Sequence, residues 1–578
     1  MDSVSDYYSA TQLRSDRWSA LRTASSALAA GGSAKAVGKR RAEAEALFDA
    51  LALIEPYWAF PGMAAFLHMR RQLAHGSFED LAFSVQRVKR ALTTGAYRRR
   101  SIPLERDSVD KDEHDDEALL SPEARALTKP YFEVLIVDEV SEQQERWLKS
   151  NVARMRRPED QFIYEAVVVP SLEDALIAVL FNHNIQAIVV RPGLVLKSKL
   201  QNEMLHTFLN SAGGSEAIDA MLPENYGPEL CRLIGRVRPE LDAYLVTERS
   251  VEDIAGLDLG ICRRVFYNQE DFMELHLNIL RGVAARNKTP FFTALVNYSK
   301  QPTGVFHAMP ISRGKSITRS HWIQDMGAFY GPNIFLAETS ATSGGLDSLL
   351  EPQGPIKEAQ ELASRAFGSK QTFFATNGTS TCNKIVVQAL VRPGDIVLVD
   401  RDCHKSHHYG MVLAGAEVVY LDSYPLNEYS MYGAVPLREI KHQLLALKAA
   451  GKLDRVRMLL LTNCTFDGLV YNVERVMEEC LAIKPDLVFL WDEAWFAFAR
   501  FSPTYRQRTA MRTANNLRKR LKTDAHKAAY AAQQKTLAKA TDADLLDTRL
   551  IAPPDAHVRV YATQSTHKTL TSLRQGSM

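Results

Sequence analysis

Val558-Arg559-Val560-Tyr561-Ala562-Thr563-Gln564-Ser565-Thr566-His567-Lys568 reads as a short β-rich run that ends in hydroxyls, a histidine and a lysine. A lysine that stops a buried strand beside small polar residues is placed to attack an aldehyde and form a Schiff base. Desolvation and neighbouring groups hold part of such an amine neutral, as that attack requires. Taken alone the stretch says little, because a lysine after a strand usually just reaches solvent. Three upstream segments change its reading.

The first is Thr376-Asn377-Gly378-Thr379-Ser380-Thr381, a strand end, a glycine turn and a helix start. Free N–H groups and the dipole at a helix start favour a phosphate, and Thr379 and Ser380 add donors. No Gly-Lys-Ser/Thr follows, so this is not a Walker loop, and a plain capped helix start is the bland alternative. The second is Cys403-His404-Lys405-Ser406-His407-His408. Its spacing matches no zinc pattern, so no metal is expected. His404, just past a strand, is instead suited to lie flat over a planar ring. The third is Leu490-Trp491-Asp492-Glu493-Ala494-Trp495. A carboxylate ending a buried strand calls for a cation, and a protonated pyridine nitrogen is one. Ala494 is small enough to let a ring approach, and Trp495 supplies an aromatic wall. A phosphate cradle, a stacking imidazole, a pyridinium partner and a Schiff-base lysine at strand C-termini together define a site for pyridoxal 5′-phosphate.

Working outward, residues 351–578 form a large α/β domain with strands expected at 373–376, 396–400, 417–421, 458–462, 487–491 and 558–563. A basic, Ala-rich stretch over 502–551 interrupts it. That stretch reads as a solvated surface helix inserted in a loop rather than a nucleic-acid site. Residues 1–130 are a helical N-terminal extension, apolar-periodic at 42–54 and 78–92, followed by a charged linker that is acidic over 107–117. From 131 to 225 strands at 132–137, 162–169 and 185–190 alternate with helices, the pattern of a receiver-like (flavodoxin-like) module. Its Asp138-Glu139 pair reads better as carboxylates facing water than as a phosphoacceptor pocket. Residues 226–350 are an α/β extension and linker, with a strand at 242–247 and a helix at 270–284.

The 578 residues carry a net charge of +2, which argues against nucleic acid or another strongly polyanionic partner. Six cysteines without CxxC pairs fit reduced thiols in a cytosolic protein. No leader-like N-terminus and no apolar run of about 18 residues is present, so a cytoplasmic location without membrane contact is expected.

Thr376 to Lys384, Cys403-His404-Lys405-Ser406, Thr462-Asn463-Cys464-Thr465-Phe466-Asp467-Gly468, Trp491-Asp492-Glu493-Ala494-Trp495 and Gln564-Ser565-Thr566-His567-Lys568 resemble the bacterial ornithine/lysine/arginine decarboxylases. The resemblance runs from about Tyr131 to the C-terminus. It implies an aspartate-aminotransferase-like large domain behind a receiver-like wing, a basic amino-acid substrate, and a dimer-based homo-oligomer. It assigns Lys568 the internal aldimine, Asp492 the pyridinium contact, His404 the ring stack, and Thr379, Ser380, Ser565 and His567 the phosphate side. The implied reaction is decarboxylation to the amine and CO₂. Aminotransfer or oxidative deamination on the same cofactor is the alternative, as is a non-catalytic scaffold paired with an active partner.

The chain departs from the family in four places. Met309-Pro310-Ile311-Ser312-Arg313-Gly314 stands where a Pro-Gly-His-like turn is usual, and Cys464 replaces a serine. The 502–551 stretch spaces Asp492 and Lys568 widely. The sequence stops at Met578, before the family's C-terminal part, so a separate or cleaved C-terminal polypeptide is expected to complete it.

Overall fold

The computed structural model describes residues 3–99, 102–104, 129–200, 222–306, 308–321, 324–339 and 345–578, which divide into two compact units at 288/289. The acidic linker read at 107–117 lies outside the described residues.

The first unit opens with four helices, Ser3–Ala29, Ala34–Ala52, Met63–His75 and Phe78–Thr94. In the last of these Leu81, Ser84, Val85 and Val88 recur at helical spacing and are all buried. Leu81, Val85 and Val88 join Trp18, Phe48 and Phe66 in one core. Gly76, at φ +79°, ends the third helix in the left-handed conformation that a C-cap favours.

Strands β1 (Tyr131–Val137), β2 (Ile163–Val169), β3 (Ile185–Val190), β4 (Asp242–Thr247) and β5 (Cys262–Tyr267) follow. They form a fully parallel sheet of order β2-β1-β3-β4-β5, the doubly wound order of flavodoxin-like folds. Apolar runs rich in Val, Ile and Leu make β1, β2 and β3, with helices over both faces, whereas the edge strand β5, Cys-Arg-Arg-Val-Phe-Tyr, is largely unburied. The break expected between 225 and 226 therefore falls inside one sheet, since β4 and β5 extend the same ladder as β1 to β3. Its helix Tyr226–Val237 packs on the same side as Leu172–Phe181. Asp138 does not face water as expected. It is buried and salt-bridged to Arg191 at 2.7 Å, which Glu270 holds at 3.0 Å. The helical bundle is tied to this sheet by buried polar bonds: Tyr57 OH donates to Asp174 at 2.9 Å, and Asn182 Nδ2 to the Tyr57 carbonyl at 2.7 Å.

The second unit holds strands β6 (Ile396–Asp400), β7 (Glu417–Leu421), β8 (Val456–Thr462), β9 (Val488–Asp492) and β10 (Arg559–Thr563), all parallel in the order β10-β9-β8-β6-β7. The strand expected at 373–376 is reduced to an isolated antiparallel bridge between Ala375 and Ser577. From β6 the chain steps to β7 on one side and then to β8 on the other. The connections after β6 and β8 therefore part, and a crevice opens at the strand C-termini.

The 502–551 stretch is not a surface insertion. It is the crossover from β9 to β10. In its helix Ala510–Leu521, residues Ala510, Ala514, Leu517 and Leu521 are buried in the main core. The basic residues of this helix serve the chain itself: Arg518 donates to the Val558 carbonyl at 2.8 Å, and Arg520 pairs with Glu474 and Glu478. The following helices Asp524–Leu537 and Asp542–Asp547 match the solvated reading, although His526 in the first is buried. Among the described residues no helix is long and apolar enough to cross a membrane.

Candidate active site

Asp492 is the last residue of β9 and is 3% exposed. Its Oδ1 accepts the Ala494 N–H at 3.0 Å, and its Oδ2 accepts from His407 Nε2 at 2.8 Å and Asn383 Nδ2 at 3.1 Å. Burial would lift this carboxyl. The His407 hydrogen bond and charge, the Ala494 amide and Asn383 outweigh it and hold the group below the usual carboxylate range. An uncharged amide, a backbone N–H and an imidazole thus hold an ionised group in the core, and Oδ1, with one donor, keeps acceptor capacity for another partner.

Asn383 and Ser406 organise the neighbouring histidine. Thr563 Oγ1, at the end of β10, donates to Asn383 Oδ1 at 2.6 Å, and Asn383 Nδ2 reaches Ser406 Oγ at 3.0 Å. Ser406 Oγ lies 2.8 Å from His404 Nδ1, and the Ser406 N–H donates to the same nitrogen at 3.2 Å. Nδ1 therefore accepts, which leaves the His404 proton on Nε2. His404 is the N-cap of the helix Lys405–Ala414. Desolvation lowers its pKa, Asp492 opposes this, and His407 and Lys568 add to it. The other members of the Cys403–His408 run diverge. His407 faces Asp492, whereas His408 lies against Tyr420 OH at 3.2 Å and Cys403 Sγ at 3.5 Å.

Lys568 sits on the short helix Thr566–Thr569 beyond β10. Its Nζ lies 4.6 Å from the centroid of the Trp495 ring, which Phe466 meets edge-on at 5.7 Å. Partial desolvation lowers the amine's pKa against the pull of Asp492, so a larger neutral fraction is available than for a solvated lysine. Ala494, buried beside Asp492, keeps the floor of the crevice low.

At the other end the helix Thr379–Leu390 starts after Gly378, at φ +75°, with no side-chain cap on its first N–H groups. Thr379 Oγ1 and Ser565 Oγ are hydrogen-bonded and buried, and Ser380 is half-buried. His567 Nδ1 donates to the Gly576 carbonyl at 2.9 Å. All nine residues singled out in the sequence thus lie at the C-terminal side of one sheet, Asp492 at a strand end and the others in loops and helix starts.

Sequence reasoning missed His407, Asn383, Ser406 and Thr563, and it missed Glu493 as well. All five stood inside quoted stretches, but only the fold reveals which partners they meet. Glu493 is fully buried and accepts from Ala510 N at 2.8 Å, Gln564 Nε2 at 2.8 Å and Asn463 Nδ2 at 3.3 Å. Burial pushes its carboxyl up to about 7.

Residues 289–550 match the family described as Orn/Lys/Arg decarboxylase, major domain. Lysine decarboxylase LdcA of Pseudomonas aeruginosa is 36% identical over 306 residues, covering 50% of this chain and 40% of that protein. The biodegradative arginine decarboxylase of Escherichia coli is 32% identical over 247 residues, 40% of this chain and 32% of its own length. The inducible ornithine decarboxylase of the same organism is 32% identical over 276 residues, 46% and 37% respectively. The solved structure of lysine decarboxylase A from Pseudomonas aeruginosa aligns with TM-score 0.42 and 27% identity, covering 77% of this chain and 53% of that one. The chain spans about two-fifths of the length of the curated relatives it matches. Over residues 289–550 the chain is thus similar to the major domain of the Orn/Lys/Arg decarboxylase family.

Proposed function

We propose that the second unit carries the cofactor-binding half of a pyridoxal-phosphate-dependent decarboxylase acting on ornithine, lysine or arginine. The observation that carries this reading is the pairing, at adjacent strand ends, of a buried, ionised Asp492 with a lysine of lowered pKa. The residues fit the cofactor. The spare acceptor capacity of Asp492 Oδ1 suits a protonated ring nitrogen, and the uncapped helix start at Thr379 suits a phosphate. Thr379, Ser380, Ser565 and His567 would hold the phosphate, His404 one ring face, Ala494 and Trp495 the wall, and Lys568 the covalent attachment. When bound, pyridoxal phosphate supplies a conjugated ring that accepts the electron pair released as CO₂ leaves.

The chain's own residues contribute position and proton control. Asp492, kept ionised by His407 and Asn383, holds a proton at the atom facing its Oδ1. The Thr563–Asn383–Ser406 chain fixes His404 with Nε2–H outward, so that its ring orientation does not drift. Trp495 and Phe466 exclude water from one side of the Lys568 amine, which favours its neutral, nucleophilic form. Ile385, Tyr409, Val412 and Leu413 stand exposed on the two helices beside the site and support a dimer-based assembly. The test is incubation with pyridoxal phosphate and each of ornithine, lysine and arginine, scoring CO₂ and keto acid. CO₂ with the matching amine is the expected result. Keto acid would reassign the chemistry to aminotransfer or oxidative deamination.

A further inference from the structure

We propose that Cys231 and Cys262 form a reversible disulfide, making the edge of the first sheet a redox-modification site for low-molecular-weight disulfides of the glutathione class. Cys231 is fully buried on the helix Tyr226–Val237, and Cys262 opens β5, the edge strand, where it is half-buried. Two glycines bring these elements together. A Cβ on Gly260, which has φ +58°, would stand 2.9 Å from the Cys231 carbonyl oxygen and 3.0 Å from Arg232 Cα. A Cβ on Gly235 would stand 3.2 Å from Ile261 Cγ2. The residues leading into β5 are therefore laid directly on the turn of helix that carries Cys231.

Both side chains belong to one core cluster, Cys231 inside it and Cys262 packed against it, and the Cys262 S–H donates to the Arg264 carbonyl at 3.2 Å. The Cys231 thiol holds the Cys262 thiol below its ordinary range, while Cys262 and burial push Cys231 up. The remaining cysteines, Cys382, Cys403, Cys464 and Cys480, are all pushed up by burial. Cys262 thus combines partial exposure with a lowered thiol pKa, both of which favour attack on a disulfide. Its partner waits in the core beside it.

The exchange balances without any other reagent. The Cys262 thiolate attacks one sulfur of oxidised glutathione, the S–S bond breaks, and one glutathione thiolate leaves. Cys231 then attacks Cys262 Sγ and displaces the second glutathione, its proton passing to the leaving thiolate. Two protein thiols are oxidised by two electrons, and one glutathione disulfide is reduced to two thiols. The pair lies far in sequence from every residue of the candidate active site, so the event is read independently of activity.

The full-length, reduced protein is incubated with oxidised glutathione, alkylated with N-ethylmaleimide under denaturing conditions and mapped by mass spectrometry. Of the six cysteines, four are expected to be alkylated, with Cys231 and Cys262 joined and released again by dithiothreitol. Cys231→Ser is expected to stop at a glutathione adduct on Cys262, and Cys262→Ser to give neither adduct nor bridge. Six alkylated cysteines in the wild type overturn the proposal, as does a stable adduct on Cys262 with Cys231 still free. Because the wild type alone decides between these outcomes, a poorly folding variant leaves the test intact.

Discussion

His407→Phe is the substitution that most directly probes how Asp492 is kept ionised. The ring is fully buried, and its Nε2 is the nearest of three donors to the carboxylate, at 2.8 Å. Phenylalanine fills a similar volume but donates nothing, so Oδ2 retains only Asn383. A hydrogen bond to a charged group contributes about 1.5–3 kcal/mol. At about 1.4 kcal/mol per tenfold, that is a loss of about 10- to 150-fold in kcat/KM for CO₂ release. The pH dependence carries the sharper signature. Asp492 is lowered in the folded chain, so its ionic contribution is complete above the ordinary aspartate range near ~3.9. That contribution fades as pH falls through the folded value. Without His407, burial gains weight and the carboxyl moves upward, so the acid limb of the rate profile must shift to higher pH. His407→Gln, which can keep a donor, is expected to lose less. A His407→Phe enzyme within about twofold of wild type, with its acid limb unmoved, would refute the assignment.

Three further outcomes are expected. Lys568→Ala removes the strand-end amine that Trp495 partly shields, so borohydride treatment of the cofactor-loaded protein should no longer fix cofactor to the chain, as read by intact mass. Glu493 is held protonated by burial, with its carboxyl pushed up from 4.5 to about 7. A raised carboxyl destabilises the fold as pH climbs between those two values. Denaturant midpoints should therefore fall across that window in the wild type and flatten in Glu493→Gln. Leu517→Ala, at a fully buried position in the helix Ala510–Leu521, should cost about 2–5 kcal/mol in unfolding free energy, whereas Lys519→Ala should stay within about 0.5 kcal/mol.

The last pair bears on what the sequence reveals. Leu487 to Trp495 is legible because a continuous apolar run ending in Asp-Glu has few structural interpretations, and β9 occupies Val488–Asp492. The order of the site residues along the chain is legible for the same reason, since all but Thr379 and Ser380 end or follow a strand. The helix Ala510–Leu521 reads as a surface element because Arg512, Arg518, Lys519 and Arg520 dominate its composition. Its buried face consists of two alanines, a threonine and two leucines at helical spacing, a pattern that composition hides. Small residues bury a helix close to its neighbours, so a helix of low mean hydropathy can still be core. Likewise 373–376 reads as a strand from its phenylalanines, yet Phe373 is 64% exposed and the backbone finds a partner only at Ser577.

Asp492, His404 and Lys568 stand out because their chemistry requires special residues at strand ends. What keeps them in place is less conspicuous: Asn383, Ser406, Thr563 and Thr379 are ordinary polar side chains, each with several uses in any protein. Their meaning lies in pairing over long sequence separations, Thr563 with Asn383 and Thr379 with Ser565. Both pairs cross from the helix Thr379–Leu390 to the end of β10, so that helix and the lysine-bearing turn are fastened at two points. A displacement of that helix would then disturb Lys568 as well as the proposed phosphate cradle. Loss of one fastening is expected to weaken both functions together, which no residue-by-residue reading of the motifs implies.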